Sequence, residues 1–173
     1  MAPMHQKHRL LVPDTVSGYE TCVVAPLGPE HTQSLATLFS CPKDRAWLFP
    51  QSSYLPSADI AAKRWRDHSA TTAIDVLSYV ENASSPIAVM RMRDGEIAYF
   101  VTAAHRKRGV ASRALATLYT VAQNGPETQL TANVQRENMA SRNVLEKSGF
   151  RFDGLVSASG HCGAMLKYTR LLS

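Results

Sequence analysis

His105-Arg106-Lys107-Arg108-Gly109-Val110-Ala111-Ser112 is the stretch that decides how the rest of this 173-residue chain is read. Before it, Ile97-Ala98-Tyr99-Phe100-Val101 has the apolar and aromatic character of a strand. After it, Val110, Ala111, Ala114, Leu115, Leu118, Val121 and Ala122 recur at helical spacing to about Gln123. The stretch is therefore a basic turn between a strand and a helix. The first amides of a helix have no intrahelical partner and carry about half a positive charge between them. An anion can sit there where the backbone is accessible, which Gly109 and the small Ala111 permit. Arg106, Lys107, Arg108 and Arg113 add positive field, and no acidic residue occurs between Thr102 and Leu118. Taken alone, Arg106-x-x-Gly109-x-Ala111 also describes a solvated basic turn that caps a helix.

Downstream, Asn124-Gly125-Pro126 ends the helix, and Leu130, Ala132 and Val134 alternate as a strand. Asn138 is placed to cap a helix with Ala140, Val144 and Leu145 inward, stopping at Ser148-Gly149. Phe150 to Val156 and Ala164 to Leu171 read as two final strands. Upstream, Ala73–Glu81, Pro86–Arg93 and Glu96–Thr102 read as an antiparallel meander, with Asp94-Gly95 as a hairpin signal. Thr21-Cys22-Val23-Val24 suits a first strand. A helix follows from Gly28-Pro29-Glu30, with Leu35, Leu38 and Phe39 as its apolar stripe. Cys41 to Leu55 reads as irregular. Ser57 is placed to cap a second helix carrying Ile60, Ala61, Arg64 and Trp65. Residues 1–17 read as a disordered tail and 18–173 as one domain, with no repeat or linker dividing it.

The formal net charge is +5, and it is unevenly placed. Residues 1–86 hold seven Lys/Arg and eight Asp/Glu; residues 87–173 hold twelve and six. An anionic partner is implied for the second half. An apolar fraction of 45% excludes a wholly disordered chain. The apolar runs are too short to span a bilayer, and the start lacks a signal-peptide pattern. Cys22, Cys41 and Cys162 are odd in number and far apart, which points to a reducing cytoplasm. The six histidines have no metal-ligand spacing, so no metal is expected.

Beside the basic turn stand Asn133-Val134-Gln135-Arg136-Glu137-Asn138-Met139-Ala140-Ser141 and Leu145-Glu146-Lys147-Ser148-Gly149-Phe150. With these blocks at this spacing, the chain resembles the GNAT family of N-acetyltransferases, near the branch that acetylates ribosomal protein N-termini. The resemblance is strongest from Glu96 to about Leu155. It implies an α/β (α+β) fold with a mixed, mostly antiparallel sheet of about seven strands, splayed at its central strands and flanked by helices. It implies acetyl-CoA as cosubstrate. The Arg106 to Ala111 amides, with Lys107, Arg108, Gly109, Val110 and then Ser112, would take its pyrophosphate. Phe100, Val101 and Thr102 would pair with the pantetheine arm as an added strand does. Asn138 would contact the same arm, a role that stands beside its plain capping role. Ser141 would lie near the thiol or phosphates, or serve only as a small packing residue.

The implied reaction is attack of a neutral amine on the acetyl thioester, which needs a base and benefits from an acid at the leaving thiolate. Glu96, at the start of the central strand, is the candidate base, and a solvated turn residue is its alternative reading. Tyr99 reads as packing. In another branch of the family, a tyrosine seven residues after the asparagine protonates the thiolate; Leu145 stands there instead. Ser141, Tyr168 or water remain for that role. The opening strand, Thr21 to Leu27, also lacks the arginine usual in the ribosomal branch. Trp47, Phe49, Tyr54 and Trp65 are candidates for a pocket wall or for core. His161-Cys162 reads as a turn. The expected acceptor is a peptide N-terminus or a small amine, with neither nucleic acid nor membrane as partner. A homodimer through the last strands stays open. Rival readings are a CoA-binding sensor with the same fold and a basic nucleic-acid-binding module.

Overall fold

The computed structural model describes residues 19–24, 27–49, 54–67, 73–80, 83, 85–157 and 164–172. The expected tail 1–17 and the His161-Cys162 turn lie outside them. Seven strands form one sheet: β1 (Tyr19–Val24), β2 (Ile74–Val80), β3 (Ala88–Arg93), β4 (Glu96–Val101), β5 (Gln129–Val134), β6 (Arg151–Ser157) and β7 (Ala164–Leu171). Their order is β1-β2-β3-β4-β5-β7-β6, and every pairing except β4 with β5 is antiparallel. The helices are α1 (Thr32–Leu38), α2 (Pro42–Arg45), α3 (Ala58–Asp67), α4 (Val110–Ala122) and α5 (Met139–Lys147). Among the described residues, no helix is long and apolar enough to cross a membrane.

The β3–β4 hairpin follows from Asp94-Gly95. Both take positive φ, 51° and 76°, as the tight two-residue turn requires. Gly95 has a second constraint: a Cβ there would lie 2.9 Å from the Gln129 carbonyl. That closeness lets Thr131 N donate to Gly95 O at 2.8 Å and brings β5 against the start of β4.

Alternation divides the core between the two faces of the sheet. On one face, Val76, Met90, Met92 and Ile97 meet Ala114, Leu115 and Leu118 of α4 and Leu145 of α5. On the other, Leu77, Val89 and Phe100 meet Leu35 and Phe39 at the α1 end, and Ala61, Ala62 and Trp65 of α3. Each large side chain buried this way contributes about 1.5–3 kcal/mol. Ser57 Oγ accepts from Ile60 N at 3.3 Å, so α3 begins where the sequence places it. Its stripe differs by one residue, because Ile60 is exposed while Ala62 is buried.

Two other expectations give way to tertiary contacts. The stretch expected to be irregular contains α2 and a 3-10 turn, Ala46–Leu48. Arg45 fixes it from within: buried, it donates to Pro56 O at 2.8 Å and also to Phe39 O. Ala140, expected inward, is exposed, and only Leu145 of α5 is fully buried.

Candidate functional site

β4 and β5 pair only at Glu96↔Thr131 and form no further pairs toward Val101 and Val134. Two parallel neighbours that meet at one end and part at the other leave a V. A cleft of about 1230 Å³ fills this V and crosses the sheet. Its wall includes Glu96 to Val101, Ala132 to Gln135, the turn from His105 and the first turns of α4 and α5.

The bonding pattern of β4 decides which backbone groups face the V. Thr102 N donates to Ile87 O at 3.0 Å on the β3 side, and Gly95 O accepts from β5. Strand bonding alternates, so Ile97, Tyr99 and Val101 turn their backbone groups toward β5. This corrects part of the expected set. Phe100 and Thr102 point their amides at β3, and Thr102 O accepts from His105 N at 3.0 Å. Of the expected three, Val101 alone presents its backbone to the V.

The basic turn has two left-handed residues, Lys107 at φ 61° and Gly109 at φ 75°. Such reversals fold successive amides toward one concavity. The first helical bond of α4 is Arg113 N to Gly109 O at 3.0 Å, so the amides of Val110, Ala111 and Ser112 precede any intrahelical partner. Arg106 departs from expectation. Its amide bonds Ala103 O at 3.3 Å, and its Nε donates to Val101 O at 3.1 Å. Its Nη2 lies 2.8 Å from Asp44 Oδ1. Sequence distance hid this partner: Asp44, in α2, is a buried acid sixty-two positions upstream. Arg106 is therefore committed to Asp44, while Lys107, Arg108 and Arg113 belong to the same basic turn and the helix start that follows it.

Asn138 caps α5, with Oδ1 accepting from Ser141 N at 3.1 Å, and it also lines the cleft. Tyr99, read from sequence as packing, extends from β4 to α5. Its hydroxyl lies 2.6 Å from Ser141 Oγ and donates to Ser141 O at 3.1 Å. Burial pushes this phenol from 10.0 to about 12, and the Ser141 hydrogen bond pulls the other way. It is protonated throughout the ordinary pH range. Strand alternation identified the face of Tyr99 and gave no sign of the hydroxyl it meets there.

Glu96 is exposed on the opposite face of β4 and lines the cleft; Asn133 Nδ2 donates to its Oε1 at 3.1 Å. Tyr168 is removed as an acid candidate. Its hydroxyl donates to Glu146 Oε1 at 2.8 Å, accepts from Arg142 Nε at 3.2 Å, and is off the cleft wall. Leu145 is fully buried. Trp47 and Phe49 line the cleft, whereas Tyr54 stands away from it against Arg64. Trp65 serves both purposes, buried at 8% exposure and bordering the cleft. Among the described residues, no group of three or more His, Cys, Asp or Glu is arranged to hold a metal ion.

The family model for the acetyltransferase (GNAT) domain matches residues 23–151. No curated protein matches the chain in sequence. Solved structures share its fold. An acetyltransferase from Salmonella typhimurium that modifies the N-terminal serine of ribosomal protein L7/L12 superposes with a TM-score of 0.71 at 18% identity, over 91% of this chain and 96% of its own. The ribosomal-protein-S5-alanine acetyltransferase of Vibrio fischeri gives 0.68 at 15%, over 90% and 93%. A putative acetyltransferase from Salmonella typhimurium, solved with its cofactor acetyl-CoA, gives 0.66 at 14%, over 88% and 94%.

Proposed function

The chain belongs to the acetyltransferase (GNAT) family, and from that premise we infer that it moves the acetyl group of acetyl-CoA to a primary amine by direct attack. The observation that carries this reading is the continuity of the V between β4 and β5 with the amides at the start of α4. A thioester carried on a long arm with a pyrophosphate at its far end needs both features at once. The residues present suit such a ligand. The amides of Val110, Ala111 and Ser112, with Lys107, Arg108 and Arg113 around them, receive the pyrophosphate. The β4 edge at Val101 receives the arm as an added strand. Asn138 borders the same channel.

Glu96 acts as the base, taking the proton that an ammonium must lose before it attacks; free amines hold that proton up to a pH of about 8–10. The amides of Tyr99 and Val101, beyond the one paired position, face the V and polarise the thioester oxygen as negative charge develops there. Ser141 supplies the hydrogen bond to the departing thiolate once the Tyr99 proton turns from the Ser141 carbonyl to Ser141 Oγ, which leaves the serine proton free to point at the sulfur. This arrangement does the work of the acid that Leu145 lacks. It also favours catalysis over a passive CoA sensor, because a sensor needs neither Glu96 nor the hydroxyl pair. A nucleic-acid surface is disfavoured by the gathering of cations in one turn, where Asp44 already neutralises Arg106.

Two measurements test the reading. Acetyl-CoA is expected to raise the melting temperature by binding only the folded state, and no rise at millimolar ligand sinks it. An amine panel with acetyl-CoA is expected to release free thiol at a rate that depends on the amine.

A further inference from the structure

On one side of the cleft, the wall is almost entirely apolar. The 3-10 turn Ala46–Leu48 and the following Phe49 pack over the β4 face that carries Glu96, Ala98 and Phe100. Trp47, Leu48, Phe49, Ala98 and Phe100 thus form a trough along β4, with Trp65 beneath. Five strand steps from Glu96 to Val101 make it about 17 Å long. Trp47 is 42% exposed and borders the cleft, so its ring is open to a ligand lying there. Phe39 packs edge-on to Phe100, with ring centroids 5.3 Å apart, and fixes the floor.

Along the middle of this wall the charges are the buried Arg91, opposite Ala98, and the Asp75 that pairs with it; the others stand at its ends. At one end stands the exposed carboxylate of Glu96. At the other, Asp44 is neutralised by Arg106 at 2.8 Å. A polycation such as a polyamine or aminoglycoside needs several carboxylates, and an anionic acceptor needs cations. This wall offers neither.

We propose that the acceptor is a primary monoamine whose amino group is borne on an apolar or aromatic body, the body lying against Trp47 and Phe49 with the amine toward Glu96. This assignment rests on the acetyl-transfer reading above and narrows it. The same chemistry is offered by a free arylalkylamine and by a peptide whose first residue is apolar, and the assay separates them.

The protein with saturating acetyl-CoA is assayed for thiol release with phenethylamine, a phenylalanyl dipeptide amide, spermidine and an aminoglycoside. One or both phenyl-bearing amines should exceed the polycations in kcat/KM by at least ten-fold, and which of the two leads identifies the source. Trp47→Ala, a change at a half-exposed position that the fold tolerates, should raise KM for the preferred amine about ten-fold. Its kcat should change far less, and its acetyl-CoA-induced rise in melting temperature should match that of the wild type. Preference for spermidine or the aminoglycoside, or an unchanged KM in Trp47→Ala, overturns the acceptor class while leaving acetyl transfer intact. Absence of both the thermal shift and thiol release with every amine overturns the acetyl-transfer reading, and this assignment with it.

Discussion

Tyr99 shows how much a single hydroxyl can carry. Its neighbours on β4 fix its direction, and α5 supplies Ser141 at 2.6 Å. Removing only that oxygen, in Tyr99→Phe, keeps the ring packing and frees the Ser141 side chain to rotate. The expected result is a fall in kcat of about ten-fold, less than the ~10²–10⁴-fold of a general acid itself because the donor is displaced and not removed, with KM for acetyl-CoA within about two-fold. Equal losses in both constants would count against the positioning role. The sign of the pH effect is also set. The folded-state value is raised from 10.0 to about 12, so the stability linked to this proton is present below pH 10 and is lost as pH climbs through 12. Tyr99→Phe should therefore resist alkaline unfolding better than the wild type by about 2 kcal/mol, read from denaturant midpoints at pH 9 and 11.5. Glu96→Gln keeps the side-chain shape and removes the proposed base. Slower acetylation by at least ten-fold at neutral pH, recovering as pH rises and more amine is already neutral, is the expected signature. A flat ratio of the two rates across pH 7 to 10 would exclude Glu96 as the base. The place of Glu96 at the start of β4 was legible from sequence because it is a local fact. The Tyr99 hydroxyl was not, since its partner is forty-two residues away.

At the scale of elements, the turn before α4 was the most legible part of the chain, because glycine, helix onset and preceding strand all lie within about fifteen residues. What local sequence could not supply was conformation and long-range neutralisation. Lys107 adopts φ 61° with a side chain that normally avoids it, at a cost of about 1–2 kcal/mol. Arg106 is claimed by Asp44 from a separate helix. Gly109 tests whether the turn binds or merely caps. Its φ of 75° disfavours any side chain, and a Cβ would lie 3.0 Å from Arg113 Nη1. Gly109→Val should lower the melting temperature of the free protein by only a few degrees, corresponding to roughly 1–2 kcal/mol. Its KM for acetyl-CoA should rise at least ten-fold, because the amides of Val110 and Ala111 shift with the turn. A variant that loses the few degrees yet keeps its acetyl-CoA affinity would show that the turn is a cap alone. The last strands illustrate the opposite limit. Their existence was readable from alternation, but the order β5-β7-β6, which inserts the final strand beside β5, is a choice among topologies that no local pattern encodes.

At the scale of the molecule, the two faces of the sheet must stay in register for the cleft to exist, because one face carries α4 and α5 and the other carries α1 and α3. One buried cluster ties the second face to the sheet. Arg91 on β3 donates from Nε to Asp75 Oδ1 at 2.9 Å and from Nη2 to Oδ2 at 3.1 Å, and both residues are buried. Arg91 also donates to the Trp65 carbonyl, and Trp65 Nε1 donates to Asp75 Oδ1 at 3.3 Å. The Arg91 guanidinium stands 4.9 Å from the Trp65 ring centroid. α3 is thus held to β2 and β3 through one tryptophan that also borders the cleft, on the side proposed for the acceptor. The alternation of β3 put Arg91 on the same face as Val89, yet an arginine there has no sequence-level reason to be buried until Asp75 is seen opposite it in the strand register. Desolvation makes the pair modest in net value, but breaking it strands a charge in the interior. Asp75→Asn should cost about 3–5 kcal/mol, lowering the melting temperature by roughly 10 °C. Replacing both partners with apolar residues of similar volume, Asp75→Leu with Arg91→Met, should recover most of that loss. The recovered protein would nevertheless lack the bonds that orient Trp65. Its KM for the amine should stay raised while its acetyl-CoA affinity is normal. Stability and acceptor recognition would then separate in one variant, which a purely structural role for the cluster does not allow.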